Sequence, residues 1–415
     1  MNKKRVLSLF SGCGGMDIGF EGGFRCFKKS INENKNPDWI KEEDGDFVMV
    51  NETGFETVFA NDIRPDAKAA WVSFFKNRIN NPDDIYKLES IVDLVKSHHK
   101  GEKIFPDDID IVTGGFPCQD FSVAGKRQGF KSLKSHDGKT MLDKEQPSIE
   151  NRGQLYIWMK EVISIVKPKL FIAENVKGLI SLDDVKEIIE NDFSNAADGG
   201  YIVVPAQVLQ AANYGVPQSR ERIIFFGFKK EALKEEAITE LMNLDKESVY
   251  NPYPKPTHSY NVDGDNLSEF VKSKYVLQDL LEPDKSSDLA QTKYSKAKYL
   301  PKGQGNIEIN LEFVSPTIRS EHHGNIEFRR LSLENGGKNI EELNNGKMQR
   351  RLTVRECARL QTFPDDYQFI LNKTNANVAL SASNAYKLIG NAVPCILAYN
   401  IAQSIKSKWN LYFKN

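Results

Sequence analysis

Short apolar runs, each followed by a glycine-rich or polar turn and then by a helical pattern, recur through the first half of the chain. Residues 6–10 form the first run, and a glycine turn at residues 11–15 precedes a helical pattern that begins at Met16. Strands that alternate with helices in this way predict an α/β fold, doubly wound around a mostly parallel sheet. The other runs predicted to be buried strands are residues 56–60, 109–113, 170–173, 201–209 and 222–228.

The alternation of strand and helix fades after the last of these strands, where prolines and glycines separate short runs. A helical pattern returns near the end of the chain. We therefore expect a large domain in residues 1–228, a smaller second domain in residues 229–349, and a final part, residues 350–415, that returns to the large domain. Residues 222–228 are expected to form an antiparallel edge of the sheet.

Three further segments of the large domain have clear patterns. Residues 28–53 are polar and charged, which predicts a solvated insertion ahead of the second strand. Residues 65–77 are predicted to form a helix that begins with a proline. Residues 125–152 are long, polar and basic, so we expect a mobile lid that contacts phosphates; a solvated charged loop is the alternative.

The composition of the 415 residues is that of an ordinary globular protein, with 27% charged and 40% hydrophobic residues. The sequence contains no apolar run of the ~20 residues that span a membrane and no signal peptide pattern. Five cysteines without a CxxC spacing favour reduced thiols in a bacterial cytoplasm and no metal site. Because the net charge is only −1, a polyanionic partner would require the basic residues to lie on one face.

One cysteine stands out by its position. Cys118 lies in the sequence Gly-Gly-Phe-Pro-Cys-Gln, directly after the predicted strand at residues 109–113. A lone cysteine is more often a small buried hydrophobic residue than a nucleophile. Here the surrounding turn is polar and poor in packing residues, and open α/β sheets bind ligands at the carboxyl ends of their strands. The pattern therefore predicts a thiol that is presented to a ligand.

Acidic residues follow two of the predicted strands. Asp62 comes after the second strand and could accept hydrogen bonds from ribose hydroxyls, or it could cap the helix that starts after Arg64. Asp84 and Ile85 lie in the next connection, where an acid could accept a hydrogen bond from an adenine amino group. These positions indicate a nucleoside-containing cofactor.

Six motifs, in a fixed order, make the sequence resemble the DNA (cytosine-5) methyltransferases, in particular those of bacterial type II restriction–modification systems. The motifs extend over nearly the whole chain, and the segment that they leave out, residues 229–349, corresponds to the variable target-recognition domain of that family. The motifs are residues 10–15 (FSGCGG), 117–119 (PCQ), 174–176 (ENV), 218–222 (QSRER), 351–365 (RLTVRECARLQTFPD) and 390–393 (GNAV).

The resemblance implies the S-adenosylmethionine-dependent methyltransferase fold and transfer of a methyl group from S-adenosyl-L-methionine to C5 of a cytosine flipped out of duplex DNA. It also implies a covalent bond between Cys118 and C6 of the base, and protection of host DNA from a partner restriction endonuclease. We expect a cytoplasmic enzyme that acts as a monomer, without a stable protein partner or a metal.

The resemblance also implies roles for individual residues. Cys118 would be the nucleophile, Glu174 would hydrogen-bond N3 and the exocyclic amine of cytosine, and Arg220 and Arg222 would favour the thiolate. The expected cofactor-binding residues are Phe10, Ser11, Gly12, Gly14, Gly15, Asp62, Asp84, Ile85, Pro117, Leu155, Asn391 and Val393. The expected DNA-binding residues are Ser122, Lys126, Arg127, Arg319, His322 and His323.

The DNA sequence that would be read is suggested only by residues 315–330, which resemble the corresponding segment of methyltransferases that read GGNCC-like sites. Arginine and histidine beside glycine in this segment suit contacts with base edges or phosphates, and a solvated loop is the alternative. Phosphate contacts would make DNA binding weaken steeply with salt.

Two other functions fit parts of the pattern. A tRNA cytosine-5 methyltransferase would share the motif set, but the Cys-Phe-Thr signature of that group is missing, and no cysteine lies between Cys118 and Cys357. A catalytically inactive binding protein of the same fold would have no need for the intact residues Cys118, Glu174 and Arg220.

Overall fold

The structure is a computed structural model. It describes residues 3–117, 155–181, 184–261, 266–301, 305–320, 326–372 and 378–414. The predicted lid and the predicted site residues Cys118, Ser122, Lys126, Arg127, His322 and His323 lie outside the described residues.

The described residues contain the following elements. The strands are β1 (Lys4–Leu9), β2 (Arg25–Phe27), β3 (Ile40–Asp44), β4 (Phe47–Val50), β5 (Phe55–Asn61), β6 (Tyr86–Lys87), β7 (Ile111–Gly115), β8 (Leu170–Val176), β9 (Tyr201–Gln210), β10 (Glu221–Lys229), β11 (His258–Ser259), β12 (Ser268–Glu269), β13 (Phe328–Arg330) and β14 (Arg350–Arg351). The helices are α1 (Gly15–Glu21), α2 (Pro65–Phe75), α3 (Pro82–Ile85), α4 (Ile91–His99), α5 (Leu155–Val166), α6 (Val185–Ser194), α7 (Glu235–Met242), α8 (Ser273–Leu277), α9 (Leu289–Thr292), α10 (Ile340–Asn344), α11 (Val354–Leu360), α12 (Ala382–Asn391) and α13 (Cys395–Tyr412).

The central sheet has seven strands in the order β6-β5-β1-β7-β8-β10-β9. The first five are parallel, and β10 pairs antiparallel with both β8 and β9. The predicted mostly parallel, doubly wound sheet is therefore confirmed. The prediction that residues 222–228 form the edge of the sheet is wrong. These residues lie in β10, which is antiparallel but is placed between β8 and β9, and β9 forms the edge.

Apolar residues on both faces explain why the central strands are buried. Successive residues of a strand point to opposite faces. Val6, Ile111 and Ile172 therefore join one hydrophobic core, whereas Leu7 and Val112 join the core on the other face. Strands covered on both sides in this way are typical of parallel sheets flanked by helices.

The end of the chain packs against its beginning, as the returning final segment predicts. Gly19 of α1 faces α13, and a Cβ at this position would clash with the side chain of Ala398. The hydroxyl of Tyr367 donates to the carbonyl of Cys13 at 2.7 Å. The glycine of α1 is thus required for the close approach of the two helices.

The prediction of a solvated insertion at residues 28–53 is wrong. Two strands of this segment, β3 and β4, form a small antiparallel sheet with β2, in the order β2-β4-β3. Val48 and Val50 of β4 are buried in the main core, whereas most of β3 is exposed. The four charged residues that follow Ile40 in β3 hide the strand pattern in the sequence.

The segment that follows β10 begins inside the core of the large domain. Leu233 and Ala237 are buried in the core that also contains Tyr412, and the amide of Lys234 donates to the carbonyl of Tyr412 at 2.9 Å. The next residues, up to β13, contain only short helices and strands. The domain boundaries at residues 228 and 349 stay predictions.

Residues 382–412, which comprise α12 and α13, are long and apolar enough to cross a membrane by length and composition alone. However, 83% of their most apolar window is buried inside the protein. A core helix passes the same test, so the stretch gives only weak evidence for a membrane span.

An alternating row of charges connects β13, α10, β14 and α11. Glu356 accepts from Arg350 Nη1 at 2.8 Å, and Arg350 Nε donates to Glu282 at 2.9 Å. Glu282 also accepts from Arg330 Nη2 at 2.6 Å, and Arg330 Nη1 donates to Glu342 at 2.9 Å. These ion pairs connect β13 and α10, which follow the predicted DNA-binding residues in the chain, to the start of α11.

Removal of the central charge of this row should destabilise the protein. Burial alone would raise the pKa of Glu282, but hydrogen bonds from Arg350 and Arg330 outweigh burial and hold the pKa at about 2. We expect Glu282→Gln to lower the free energy of unfolding by about 2 kcal/mol at neutral pH, because two buried guanidinium groups lose the negative charge that they share. Urea unfolding followed by circular dichroism measures this difference.

The pH dependence and a control sharpen the test. A depressed pKa contributes stability above the unfolded value of about 4.3, and this stability is lost as the pH falls towards 2. The unfolding curves of wild type and Glu282→Gln should therefore converge in acid. Glu247→Gln, which breaks an exposed pair with Lys255, should cost at most about 0.5 kcal/mol. Equal effects of the two substitutions would contradict the role of the row.

Candidate functional site

A cavity of about 730 Å³ opens at the carboxyl ends of the parallel strands. Its walls come from both ends of the chain, because the turn after β1 faces the segment between α12 and α13. The predicted site residues that line it are Phe10, Ser11, Gly12, Gly15, Asp62, Pro117, Leu155, Glu174, Arg222, Arg319, Asn391 and Val393. The volume is in the range of about 300–1,000 Å³ that is usual for small-molecule sites.

The turn after β1 has an uncommon backbone. Phe10 has a φ of 54°, a left-handed conformation that is rare for a residue with a side chain, and Gly12 follows with a φ of 53°. The amide of Gly12 donates to Asp62 Oδ2 at 3.1 Å, and the amide of Arg64 donates to Oδ1 at 3.0 Å. Such outliers concentrate at functional sites, and here the turn places Phe10, Gly12 and Asp62 on one wall of the cavity.

Asp62 is thus fixed by two backbone amides and still faces the cavity. Its burial raises the pKa of its carboxyl above the usual value, and the hydrogen bonds from Arg64 and Gly12 offset part of this rise. Each carboxylate oxygen has lone pairs beyond those used by the amides, so Asp62 can accept further hydrogen bonds from a ligand hydroxyl.

Glu174 and Arg222 form an ion pair in the cavity wall. Arg222 Nε lies 2.7 Å from Glu174 Oε1, and both side chains are about 10% exposed. Antiparallel pairing of β8 and β10 places Ile224 opposite Glu174, so Arg222 is a diagonal neighbour within reach of the carboxylate. Burial raises the pKa of Glu174, and the positive charges of Arg222 and Arg220 lower it again in part.

Arg220 does not line the cavity, contrary to its predicted catalytic position. Its side chain is fully buried and donates to the carbonyl oxygens of Ile318 at 3.1 Å, Gly390 at 2.7 Å and Ala392 at 2.9 Å. These carbonyls belong to two segments that form cavity walls. Arg220 therefore holds the backbone of two cavity walls, and its predicted catalytic role stays a prediction.

Asp84, Ile85 and Gly14 also lie outside the cavity lining. Asp84 is exposed at the short helix α3, and Gly14 packs against Trp71. The cavity is lined instead by Ser90 and Ile91, which follow β6 at the start of α4. The assignment of Asp84 and Ile85 to the adenine stays a prediction, and in the structure the cavity wall comes from the residues that follow the two-residue strand β6. The sequence did contain a signal for Ser90. It is the N-cap residue of α4, and its hydroxyl accepts from the amide of Val92.

Arg319 lines the cavity together with the other residues of the segment 317–320. One of its guanidinium nitrogens, Nη2, lies 3.5 Å from Oε1 of Glu327, whose side chain is only 3% exposed, while the side chain of Arg319 is 32% exposed. Gly390 permits this arrangement, because a Cβ there would clash with the backbone of Arg319 and Ser320. Arg319 therefore combines a buried acceptor with access to the cavity.

Comparison with known proteins identifies the family. A profile described as C-5 cytosine-specific DNA methylase matches residues 45–407. The chain belongs to this family. It is 32% identical to the type II methyltransferase M.BspRI of Lysinibacillus sphaericus over 97% of this chain and 82% of that protein. It is 29% identical to the type II methyltransferase M.BsuRI of Bacillus subtilis over 99% of this chain and 81% of that protein.

Solved structures show the same fold at low sequence identity. The S. pombe Dnmt2 methyltransferase aligns with a TM-score of 0.54 and 17% identity, over 97% of this chain and 98% of that chain. The Entamoeba histolytica methyltransferase EhMeth aligns with a TM-score of 0.54 and 15% identity, over 99% of each chain. The resemblance seen in the sequence motifs is thus confirmed, and the protein is a DNA (cytosine-5)-methyltransferase of the type II group.

The family implies methyl transfer that depends on S-adenosylmethionine, and the cavity suits that cofactor. Asp62 offers a carboxylate to hydroxyl groups, Leu155 and Ile91 offer apolar surface, and Phe10 offers an aromatic ring. At about 730 Å³ the cavity is larger than the smallest ligand sites of proteins, so it also has space for part of a second ligand. Bound S-adenosylmethionine supplies an electrophilic methyl group. The assignment of each residue to a part of the cofactor stays a prediction.

A matched pair of substitutions tests the cavity as the cofactor site. Asp62→Asn should weaken S-adenosylmethionine binding by about tenfold, because an amide group must present a donor to one of the two backbone amides that now point at the carboxylate. Asp84→Asn should leave the affinity unchanged, because Asp84 is exposed and outside the cavity lining. Isothermal titration calorimetry without DNA measures both values. A larger loss of affinity in Asp84→Asn than in Asp62→Asn would support the sequence prediction that Asp84 binds the adenine.

Proposed function

We propose that this chain transfers a methyl group to C5 of a cytosine that has been flipped out of a short, specific duplex DNA sequence, through a covalent bond between Cys118 and C6 of the base. The observation that carries the proposal is the buried ion pair of Glu174 and Arg222, which lies in a cavity wall that also includes Pro117, the residue before Cys118. A buried acid beside a fixed arginine suits recognition and activation of a cytosine ring.

Glu174 would supply the acid of the reaction. C5 of cytosine is a weak nucleophile until a thiolate adds to C6, and the electrons then displaced onto the ring need a proton or a strong hydrogen bond at N3. Burial raises the pKa of Glu174, which favours the protonated form that can donate to N3. Arg222 holds the other side of the carboxyl group, so that the acid has a defined orientation.

Cys118 would supply the nucleophile. A free thiol has a pKa near 8.5, so only a few per cent is thiolate at neutral pH, and a nearby positive charge increases that fraction. Among the described residues, Arg222 is the cation of the motif that reaches the cavity. In this reaction Cys118 Sγ would bond to C6, and C5 would take the methyl group as its bond to the sulfonium sulfur breaks and the neutral thioether S-adenosylhomocysteine leaves. Removal of the C5 proton by a base such as water would then re-form the C5–C6 double bond and expel Cys118 as a thiolate.

The target base must leave the DNA duplex, because its C5 and C6 atoms are shielded inside the base stack. Flipping costs a few kcal/mol, which contacts in the cavity must offset. Arg319 supports this step, because its side chain is partly exposed and lines the cavity. We propose that Arg319 contacts the flipped nucleotide or its phosphate, and that residues 315–330 contribute to reading a GGNCC-like site.

The cellular role follows from the relatives. M.BspRI and M.BsuRI are named as type II methyltransferases. We infer that this protein acts in the bacterial cytoplasm as a monomer and protects host DNA from a partner restriction endonuclease. A search for a nuclease gene beside the gene for this protein tests the last inference.

The proposed chemistry is tested by transfer of a labelled methyl group from S-adenosylmethionine to mixed-sequence duplex DNA, followed by bisulfite sequencing. We expect label at one short motif in the wild type. Cys118→Ser should reduce transfer by at least about 10³-fold, since the hydroxyl is a far weaker nucleophile. Glu174→Gln should reduce transfer by about 10²-fold, since the amide cannot release a proton to N3.

Controls make the result specific. Glu247→Gln, a change of an exposed acid, should transfer methyl groups at the wild-type rate. Label on tRNA and none on DNA would show that the substrate is tRNA and not duplex DNA. Undiminished transfer by Cys118→Ser would contradict the covalent mechanism.

A further inference from the structure

A buried carboxyl group lies beneath the cofactor cavity and has no role in the proposed chemistry. Asp17 of α1 is 1% exposed and does not line the cavity. Ser8 Oγ donates to Asp17 Oδ1 at 2.6 Å, and Trp71 Nε1 donates to Oδ2 at 2.7 Å. Both carboxylate oxygens therefore accept hydrogen bonds from neutral donors.

Ser8 connects Asp17 to the cavity. Ser11 Oγ donates to Ser8 Oγ at 2.8 Å, and the amide of Asn61 donates to Ser11 Oγ at 3.3 Å. Ser8, Ser11 and Asn61 all line the cavity. Asp17 is thus the end of a chain of hydrogen bonds that starts in the cavity wall and runs into the core.

We propose that Asp17 is a positioning residue for S-adenosylmethionine: its carboxylate sets the direction of the hydrogen bonds through Ser8 to Ser11, and so makes cofactor affinity depend on a group that the cofactor does not touch. The inference rests on the proposed use of this cavity for the cofactor. It adds a residue for which the known activity gives no role.

The direction of the chain depends on the charge of Asp17. While Asp17 is ionised, Ser8 donates to it, which leaves Ser8 Oγ free to accept the proton of Ser11 Oγ at 2.8 Å. Trp71 Nε1 can only donate, so a proton on Asp17 must be donated to Ser8. Ser8 must then donate its own proton towards Ser11 Oγ, and the hydroxyl of Ser11 must turn to its other acceptor, the carbonyl of Ser8 at 3.1 Å, or to the cavity.

The surroundings of Asp17 make this change accessible near neutral pH. Burial raises the pKa of Asp17 to about 6, and the hydrogen bonds from Ser8 and Trp71 limit the rise. The other titratable groups that act on it or respond to its charge are Glu21 on the same helix, Cys13 in the turn, Tyr86 on β6 and Tyr367 after α11. Burial raises the pKa of each of them, and only Glu21, at about 7, titrates in the same range.

The central measurement is the affinity for S-adenosylmethionine, by calorimetry without DNA, between about pH 5 and about pH 7. Wild-type affinity should fall as the pH drops through about 6, the value to which burial raises the pKa of Asp17. Asp17→Asn should bind about tenfold more weakly at pH 7, because its amide imposes the reversed direction, and its affinity should not change with pH. Ser8→Ala, which removes the link but keeps Asp17, should have the same two effects.

Glu21→Gln is the matched control. Glu21 is the second acid of α1 and accepts from the amide of Thr57 at 3.1 Å, outside the chain from Asp17 to Ser11. This variant should keep the wild-type affinity and its pH dependence. If the pH dependence disappears in Glu21→Gln and persists in Asp17→Asn, the titrating group is Glu21 and the proposal is overturned.

A second readout does not need the cofactor. The indole N–H signal of Trp71 in a ¹⁵N-indole spectrum should shift with pH near 6 in the wild type and stay constant in Asp17→Asn. If Asp17→Asn does not fold, the affinity of Ser8→Ala for S-adenosylmethionine, and its change with pH, test the proposal. Wild-type pH dependence in Ser8→Ala overturns the proposal. Failure of the wild type to bind S-adenosylmethionine, with a normal Trp71 titration, would instead refute the proposed cofactor site.

Discussion

One buried guanidinium group holds together the three parts of the chain that build the cavity. Arg220, at the start of β10, donates to backbone carbonyls of Ile318, Gly390 and Ala392. Backbone carbonyls in such irregular segments need partners when buried, and a charged donor gives stronger hydrogen bonds than a neutral one. The cavity wall therefore depends on an arginine that is not itself among the residues that line the cavity.

The two adjacent arginines of β14 hold the backbone and side chains of residues between 282 and 330 in a similar way. Arg350 binds acids, as the charge row shows, whereas Arg351 donates to carbonyls, including those of Ala297 at 2.9 Å and Gly305 at 2.5 Å. Arg351 also stacks on Phe328, with 4.1 Å to the ring centre. A region with little regular secondary structure is thus held by charged side chains in place of a sheet or a helix bundle.

The sequence predicted the fold and most of the cavity because both follow from local patterns. Apolar runs revealed the strands, and the predicted site residues Phe10, Asp62 and Glu174 lie at the ends of strands whose carboxyl ends must meet. Two kinds of residue escaped prediction. Ser90 follows a strand too short to give a pattern, and the role of Arg220 depends on contacts with residues about 100 and 170 positions away, which no local pattern contains. The same limit hid Asp17, whose partner Trp71 is 54 positions away.

The construction of the cavity from both ends of the chain has a consequence for its synthesis. Ser8 and Val393 line the same space, and Arg220 cannot complete its hydrogen bonds until Gly390 and Ala392 exist. At roughly 5–20 residues per second, a ribosome needs roughly 20–80 seconds to make the residues between those two walls. A nascent chain therefore has no complete cavity wall until residue 393 has been made, and a copy that stops before residue 390 lacks the carbonyls that Arg220 binds.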